Sequence, residues 1–180
     1  MISEKLEKAR AYEAENEKKI TPLMRPVFHL TPRVGWMNDP NGFSYYNGKY
    51  HMFYQYYPYR PFWGPMHWGH AVSKDLLHWN YLPAALAPDE PYENGGGCFS
   101  GSAVELSDGR QLIVYTGVLS EKQPDGTMRG VQQQCVAVGD GVNYEKCENN
   151  PVMTAKQLPS DSNRFDFRDP KAWKAADGSY

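Results

Sequence analysis

The sequence predicts an all-β fold, a β-propeller preceded by a short N-terminal helix. From Val27 onward aromatic and β-branched runs, separated by turn dipeptides, replace any sustained helical periodicity. The runs also recur, because the glycines of three Asn-Gly or Asp-Gly turns stand at positions 48, 109 and 178, with spacings of 61 and 69 residues. Four strands in a unit of this size are typical of a propeller blade.

The first predicted element is an exposed helix over residues 3–19. Its thin apolar stripe, with Leu6 and Ala9, favours a solvated helix lying against the domain over a membrane or partner helix. Two acid–base pairs four residues apart put opposite charges on adjacent helix turns: Glu4 with Lys8, and Glu15 with Lys19. Pro26 lies beyond the pattern, so residues 1–26 are interpreted as a helix and linker.

Residues 27–180 are predicted to form part of a propeller. A two-residue turn is expected in each hairpin. The first hairpin covers residues 42–57 and the second covers residues 102–116. Each is followed by a second pair of strands, over residues 67–82 and 132–147, and these two segments are similar to each other. A third unit opens at Pro170 and contains Asp177-Gly178. Because a propeller needs typically four to eight blades, the sequence predicts a fragment of a longer protein.

Composition and charge exclude several classes of protein. The chain has 180 residues, 41% of them hydrophobic and 22% charged, which is unlike collagen, a coiled coil or a disordered tail. Its 19 basic and 21 acidic side chains give a net charge of −2, and no basic block offers nucleic acid a binding surface. A neutral small molecule is the expected partner.

The cysteines and the N-terminal residues give evidence on the cellular location of the protein. Cys98, Cys135 and Cys147 are odd in number and widely spaced, so neither a disulfide framework nor a thiolate zinc site is expected. No window approaches 18 consecutive apolar residues, and the N-terminus alternates charges where a signal peptide would need an apolar core. We therefore expect no membrane span, no secretory signal and a cytoplasmic location.

The most specific segment is Trp36-Met37-Asn38-Asp39-Pro40-Asn41-Gly42, where the first unit begins. An Asx-Pro turn explains its composition, but Asp-Pro also recurs in register. Asp169, in Phe167-Arg168-Asp169-Pro170, precedes the third unit, and Ser100 occupies the corresponding place in the second. The innermost strands of a propeller begin around one central channel, so Asp39, Ser100 and Asp169 are expected to converge there.

Seven motifs in order carry a family resemblance from about Val27 to the last residue. They are residues 36–42, Tyr54-Gln55-Tyr56, Trp63, Trp68-Gly69-His70, Phe99-Ser100-Gly101-Ser102, Tyr115-Thr116-Gly117 and residues 167–170. Together they resemble glycoside hydrolase family 32, the β-fructofuranosidases. The resemblance implies a five-bladed propeller followed by a C-terminal β-sandwich, and an enzyme that cleaves terminal β-D-fructofuranosides (sucrose, sucrose 6-phosphate or fructo-oligosaccharides) with retention.

The resemblance also implies a role for each matching residue. Asp39 would be the nucleophile and Asp169, beside Arg168, the transition-state stabiliser, a pair of carboxylates that suits glycoside hydrolysis. The fructosyl pocket would be lined by Asn38, Gln55, Trp63, Phe99 and Ser100. Packing between blades stays the alternative role for Trp63. No cofactor or metal is expected, because His67 and His70 point to opposite faces of a strand.

The family's general acid, a glutamate typically followed by cysteine, has no match here. The reversed pair Cys147-Glu148 is a poor candidate, so we expect the acid beyond Tyr180, with the remaining blades. The 180-residue chain alone should then be inactive, and activity in it would point to Glu93 or Glu148. A fructosyltransferase and a non-catalytic sugar-binding propeller remain alternatives, and the sequence fixes neither the preferred fructoside nor the oligomeric state.

Overall fold

A computed structural model describes residues 2–163 and 165–180. Within these residues, one α-helix, α1 (Glu4–Asn16), precedes two four-stranded antiparallel sheets. The first sheet contains β1 (Trp36–Tyr46), β2 (Lys49–Tyr57), β3 (His67–Ser73) and β4 (Trp79–Leu86). The second contains β5 (Gly97–Glu105), β6 (Gln111–Lys122), β7 (Met128–Gly139) and β8 (Tyr144–Lys146). The strands of each sheet lie in chain order, as in a propeller blade, and the predicted all-β fold is confirmed.

The predicted turns differ in length. In the first hairpin Asn47 and Gly48 both have positive φ, 48° and 73°, as a two-residue type I′ turn requires. In the second, the Leu106 amide donates to the Arg110 carbonyl at 2.7 Å and the Gly109 amide donates to the Leu106 carbonyl at 3.0 Å. The turn between β5 and β6 therefore has three residues, ending on a left-handed glycine, and the two-residue prediction is wrong there.

The third unit forms its turn but no strand among the described residues. The Ala175 amide donates to Ser179 at 2.8 Å and the Gly178 amide donates to Ala175 at 3.0 Å, which repeats the three-residue geometry. Only two residues follow Gly178, too few to build a ladder of backbone hydrogen bonds.

Helix α1 lies against β4, the outer strand of the first sheet. Ser3 caps it by accepting a hydrogen bond from the Leu6 amide at 3.2 Å. Leu6 and Ala9 are buried, and Leu6 packs with Tyr54 and Tyr56 of the first sheet. The predicted helix lying against the domain is thus confirmed. Among the described residues no helix is both long and apolar enough to cross a membrane.

One hydrophobic core lies between the two sheets. Its buried members come from both of them: Phe53, Trp68, Ala85, Leu86, Cys98, Ala103, Ile113, Tyr115, Cys135, Ala137 and Tyr144. β1 packs against β5 at Gly42, where an added Cβ would stand 2.7 Å from the Phe53 ring and 3.2 Å from the Ala103 Cβ. With a φ of +52°, this position suits glycine on both counts. The first strands of the two sheets are therefore neighbours.

Both of these strands bulge where the sequence places site residues. Met37 pairs with Tyr56 and Pro40 pairs with Tyr54, so Asn38 and Asp39 together face the single residue Gln55. In β5, Phe99 pairs with Thr116 and Gly101 with Tyr115, which leaves Ser100 as the extra residue. Bulges re-aim side chains and are frequent beside active sites.

Candidate active site

The two bulges bring Asp39 and Ser100 together. The Ser100 hydroxyl donates to Oδ2 of Asp39 at 3.1 Å, joining the first sheet to the second. Asp39 and its neighbour Asn38 are exposed. The carboxylate is therefore oriented from one side and open to a ligand on the other.

Asn41 and Gln55 support this pair from behind. Both are 2% exposed. The Asn41 amide is oriented with its nitrogen donating to Ser100 Oγ at 3.2 Å and its oxygen accepting from Gln55 Nε2 at 3.1 Å, because only this orientation gives both ends partners. Gln55 Nε2 also donates to the Cys98 carbonyl at 2.9 Å, so both of its N–H groups are used within the protein.

Aromatic side chains contact Phe99 and Asn38, the residues that precede Ser100 and Asp39 in sequence. Trp63 is 52% exposed and meets Phe99 edge to face, with ring centroids 6.4 Å apart. Trp68 donates from Nε1 to the Phe99 carbonyl at 3.1 Å, which fixes the start of β5. Trp36 donates from Nε1 to Oδ1 of Asn38 at 2.9 Å. The exposed face of Trp63 suits a sugar better than an interior packing role, and its place in the pocket stays a prediction.

Asp169 and Arg168 project from the segment that follows the second sheet. Both are exposed, and Arg168 Nε lies 3.7 Å from Oδ2 of Asp169. Arg168 also contacts Asp166, with Nη1 donating at 2.5 Å. Within the described part of the chain no hydrogen bond engages the Asp169 carboxylate. Its oxygens are therefore available to a bound hydroxyl.

Polar side chains of the second sheet fix the backbone of this segment. The Asp169 amide donates to Thr116 Oγ1 at 3.1 Å. Further along, Ser102 Oγ donates to the Pro170 carbonyl at 2.9 Å and accepts from the Ala172 amide at 2.8 Å. β5 thus contacts Asp39 through Ser100 and the 170–172 segment through Ser102. Ser100 meets Asp39 directly, as expected. Asp169 contacts the second sheet through its backbone, and its convergence with Asp39 stays a prediction.

Several supporting residues were given no role by the sequence. Asn41, Ser102 and Thr116 lie inside the motifs, but nothing in their type distinguishes support from turn or strand formation. Gln134 has a weak signal, because it ends a run of three glutamines inside a strand. A polar run buried in a strand must find partners, and such a run is a reason to look for a site nearby.

Neither Glu93 nor Glu148 stands with Asp39. Glu93 is 1% exposed and accepts from Tyr115 Oη at 2.7 Å and from Lys146 Nζ at 2.6 Å. A carboxylate so enclosed has no path to a sugar. Glu148 follows β8, the outermost strand of the second sheet, whereas Ser100 lies on the innermost strand.

The described residues contain no group of three or more His, Cys, Asp or Glu side chains arranged for a metal. The two histidines of β3 have protein partners: His67 Nδ1 lies 2.9 Å from the Pro65 carbonyl, and His70 Nε2 lies 3.0 Å from His51 Nδ1. Burial lowers the pKa of His67 to about 4. The expectation that no metal or cofactor is needed stays a prediction.

Known proteins similar to this chain share one family. A family model described as the glycosyl hydrolases family 32 N-terminal domain matches residues 29–180. A sucrose-6-phosphate hydrolase of Zymomonas mobilis is 48% identical over 155 residues, which are 84% of this chain and 28% of that enzyme. A raffinose invertase of Escherichia coli is 47% identical over 158 residues, 86% of this chain and 31% of that enzyme.

A solved structure agrees with these sequences. The GH32 beta-fructofuranosidase of Bombyx mori is 45% identical, with a TM-score of 0.81 over 95% of this chain and 34% of that one, and a mutant of it was solved in complex with sucrose. This chain therefore spans 28% to 34% of the length of these relatives. The family match over most of the chain, the ordered motifs and the shared fold together show that the chain belongs to glycosyl hydrolases family 32.

Proposed function

We propose that the full-length protein hydrolyses terminal β-D-fructofuranosides such as sucrose, sucrose 6-phosphate or fructo-oligosaccharides. The observation that carries this proposal is the Asp39 carboxylate, exposed on a bulge of β1 and oriented by the Ser100 hydroxyl at 3.1 Å. The named activities of the relatives, sucrose-6-phosphate hydrolase, raffinose invertase and beta-fructofuranosidase, support it. A neutral sugar also fits the balanced charge of the chain.

In the proposed reaction Asp39 attacks the anomeric carbon of the fructosyl unit. The bond to the leaving oxygen breaks as a general acid protonates that oxygen, and an ester between Asp39 and the sugar forms. Water, deprotonated by the same acid residue in its basic form, then releases fructose with retention. The Ser100 hydroxyl keeps one Asp39 oxygen engaged, so the other is directed at the sugar.

Asp169 and Arg168 are proposed to act on the sugar hydroxyls. An oxocarbenium-like transition state polarises those hydroxyls, so a carboxylate that accepts from them binds the transition state more tightly than the ground state. The Asp169 carboxylate has free oxygens for this role. Asn38, Trp63 and Phe99 are proposed to line the same pocket.

The general acid is proposed to lie outside this chain. A retaining mechanism needs an acid about 5–5.5 Å from the nucleophile. Glu93 is buried against Lys146, and Glu148 follows the outermost strand. The curated relatives are more than three times as long as the matched region, which leaves ample chain for a third carboxyl group and for further blades.

The test replaces Asp39 in the full-length protein. Asp39→Asn should abolish fructose release from sucrose while leaving the melting temperature near that of the wild type, because an amide is a far poorer nucleophile than a carboxylate. The matched control is Glu105→Gln, which neutralises an exposed carboxylate at the other end of β5 and should keep full activity. Near-normal hydrolysis by Asp39→Asn would remove Asp39 from the mechanism.

The same assay separates hydrolysis from transfer. At high sucrose concentration a hydrolase releases glucose and fructose in equal amounts, whereas a fructosyltransferase releases glucose with less free fructose and makes longer oligosaccharides. Adding methanol as an acceptor should give the methyl β-D-fructofuranoside in NMR spectra if the anomeric configuration is retained. The α-anomer would contradict the covalent intermediate.

A further inference from the structure

Two buried side chains of the second sheet hold the backbone on both sides of Arg168. Thr116 on β6 is fully buried, and Gln134 on β7 is 5% exposed. Thr116 Oγ1 accepts from the Asp169 amide at 3.1 Å, and Gln134 Nε2 donates to the Phe167 carbonyl at 2.7 Å. A third bond, from Thr116 Oγ1 to Gln134 Oε1 at 3.1 Å, closes the ring.

The directions of these bonds are fixed by elimination. The Phe167 carbonyl can only accept, so Gln134 turns its nitrogen toward Phe167 and its oxygen toward Thr116. The Thr116 hydroxyl therefore donates its one proton to Gln134 Oε1 and accepts from the Asp169 amide. Each of the three bonds in the ring then joins one donor to one acceptor.

The ring rests on a rigid part of the sheet. Thr116 and Gln134 are directly paired in the register of β6 and β7. On its other side, the Gln134 amide donates to the Met153 carbonyl at 2.8 Å, and its carbonyl accepts from the Val152 amide at 2.9 Å. Both backbone groups of Gln134 are therefore hydrogen-bonded to residues 152 and 153, its neighbours in β7 pair with β6, and its side chain starts from a fixed point.

The residue held by this ring has an unusual backbone. Asp169 has a φ of +62°, a left-handed conformation that costs a non-glycine residue energy, although aspartate tolerates it better than most. Its carboxylate has only the 3.7 Å approach of Arg168 among the described residues. The direction of the carboxylate therefore depends on the backbone, and the backbone depends on Thr116 and Gln134.

We propose that Thr116 and Gln134 are positioning residues that aim the Asp169 carboxylate at the substrate. Neither side chain needs to touch the sugar, since both act through the backbone of residues 167–169. The inference rests on the proposed function in one respect, namely that Asp169 stabilises the transition state. The holding of the backbone can be tested without that assumption.

Hydrogen–deuterium exchange tests directly whether Thr116 holds the backbone of Asp169. In the full-length protein, Thr116→Val removes the acceptor of the Asp169 amide at almost constant volume, so peptides covering residues 165–172 should exchange faster. Thr116→Ser keeps the hydroxyl and should restore slow exchange. Gln133→Met is the matched control, because Gln133 is a similarly buried neighbour on β7 that makes no hydrogen bond to the described residues of this segment, and it should leave exchange there unchanged.

Kinetics test the consequence. Thr116→Val and Gln134→Met should each lower kcat for sucrose roughly ten- to a hundredfold, since small misplacements of a catalytic group have effects of this size. KM should change less, because the bonds of Asp169 count most in the transition state. In an Asp169→Asn background, Thr116→Val should lower kcat by less than about threefold, since the group it positions is already disabled.

The outcomes separate the two proposals. Unchanged exchange in Thr116→Val, a wild-type kcat, or equal effects with and without Asp169→Asn would each overturn the positioning role. A full-length wild type that does not cleave any fructoside would overturn the proposed function instead. Faster exchange in Thr116→Val would, in that case, still support the holding of residue 169.

Discussion

Asp39 is oriented by a series of hydrogen bonds between side chains, which begins in the protein interior. Gln55 donates to Asn41, Asn41 donates to Ser100, and Ser100 donates to Asp39. The two inner members are buried and the outer two face the open site. Each donor in this series is oriented by the residue before it. The direction of the Asp39 carboxylate therefore depends on Gln55 of β2.

Asn41 is the link whose removal tests this series. Asn41→Ala should lower kcat/KM for sucrose about two- to tenfold, because Ser100 loses the donor that orients it and a hydrogen bond between neutral groups contributes about 0.5–1.5 kcal/mol. Asn41→Ala should have little further effect once Ser100→Ala is present. Additive losses in the double variant would show that Asn41 acts elsewhere.

The sequence predicts the two carboxylates that we propose as reacting groups, but not the residues that support them. Asp39 and Asp169 were found because Asp-Pro recurs in register, and the contact with Ser100 was predicted from the same register. The roles of Asn41 and Gln134 depend on which way a bulge turns a strand, and on pairings between distant residues. No local pattern of residue types contains that information.

At the level of elements, α1 protects the irregular outer strand of the first sheet. Trp68 pairs with Leu86 and His70 with Leu82, so three residues of β4 face one of β3 and the ladder is interrupted around Ala84. The helix supplies the missing partners: Glu13 accepts from the Ala84 amide at 3.0 Å, and Arg10 donates to the Ala84 carbonyl at 2.9 Å. An edge strand with open backbone groups is thereby covered.

Glu13 makes this contact dependent on pH. Burial raises its pKa to about 7, against the opposing effects of the Ala84 amide and the Arg33 guanidinium. At pH values between 4.5, the ordinary pKa of glutamate, and about 7, Glu13 keeps its proton in the folded state and has lost it in the unfolded chain. The free energy of unfolding therefore falls as pH rises through this window, by about 3 kcal/mol in all.

Glu13→Gln in the full-length protein removes the ionisation and keeps an acceptor for Ala84. The melting temperature of this variant relative to the wild type should therefore rise between pH 5 and pH 8. Glu15→Gln is the control, since the Glu15 side chain is 74% exposed on the same helix, and it should show no such trend. The same difference at both pH values for Glu13→Gln would contradict the buried, proton-binding carboxyl.

Element positions were largely predictable, and their irregularities were not. The helix and both four-stranded units follow from periodicity and turn dipeptides. The three-residue turn at Gly109 shares its Asp-Gly dipeptide with two-residue turns, so composition cannot separate them. Burial of Glu13 in a polar stretch of helix follows from the interruption in β4, which is set by packing across the sheet.

At the scale of the whole molecule, Lys146 joins parts of the chain that are distant in sequence. It lies at the end of β8 and donates to the Ala87 carbonyl at 2.7 Å and to Glu93 at 2.6 Å. It also pairs with Asp89, which accepts from the Ser3 hydroxyl that caps α1. One ammonium group thus connects the second sheet, the connection between the sheets and, through Asp89, the helix.

Lys146→Met in the full-length protein tests how much this connection contributes. The side chains of Lys146, Asp89 and Glu93 are 10%, 13% and 0% exposed, so removing Lys146 leaves two buried carboxylates without the cation that balances their charge. Breaking a buried ion pair in this way costs about 3–5 kcal/mol, and the midpoint of urea unfolding should fall accordingly. Lys74→Met, on the exposed turn between β3 and β4, should leave the midpoint almost unchanged.

A second substitution separates the ion pairs from side-chain packing. If uncompensated charge causes the loss, Glu93→Gln added to Lys146→Met should recover part of it, because a neutral amide is less costly to bury than a lone carboxylate. If Lys146 contributes mainly through its methylene groups, which methionine replaces, the single variant should already be as stable as the wild type. That result would show that the two sheets are joined by their shared apolar core, around Trp68 and Tyr115, and not by Lys146.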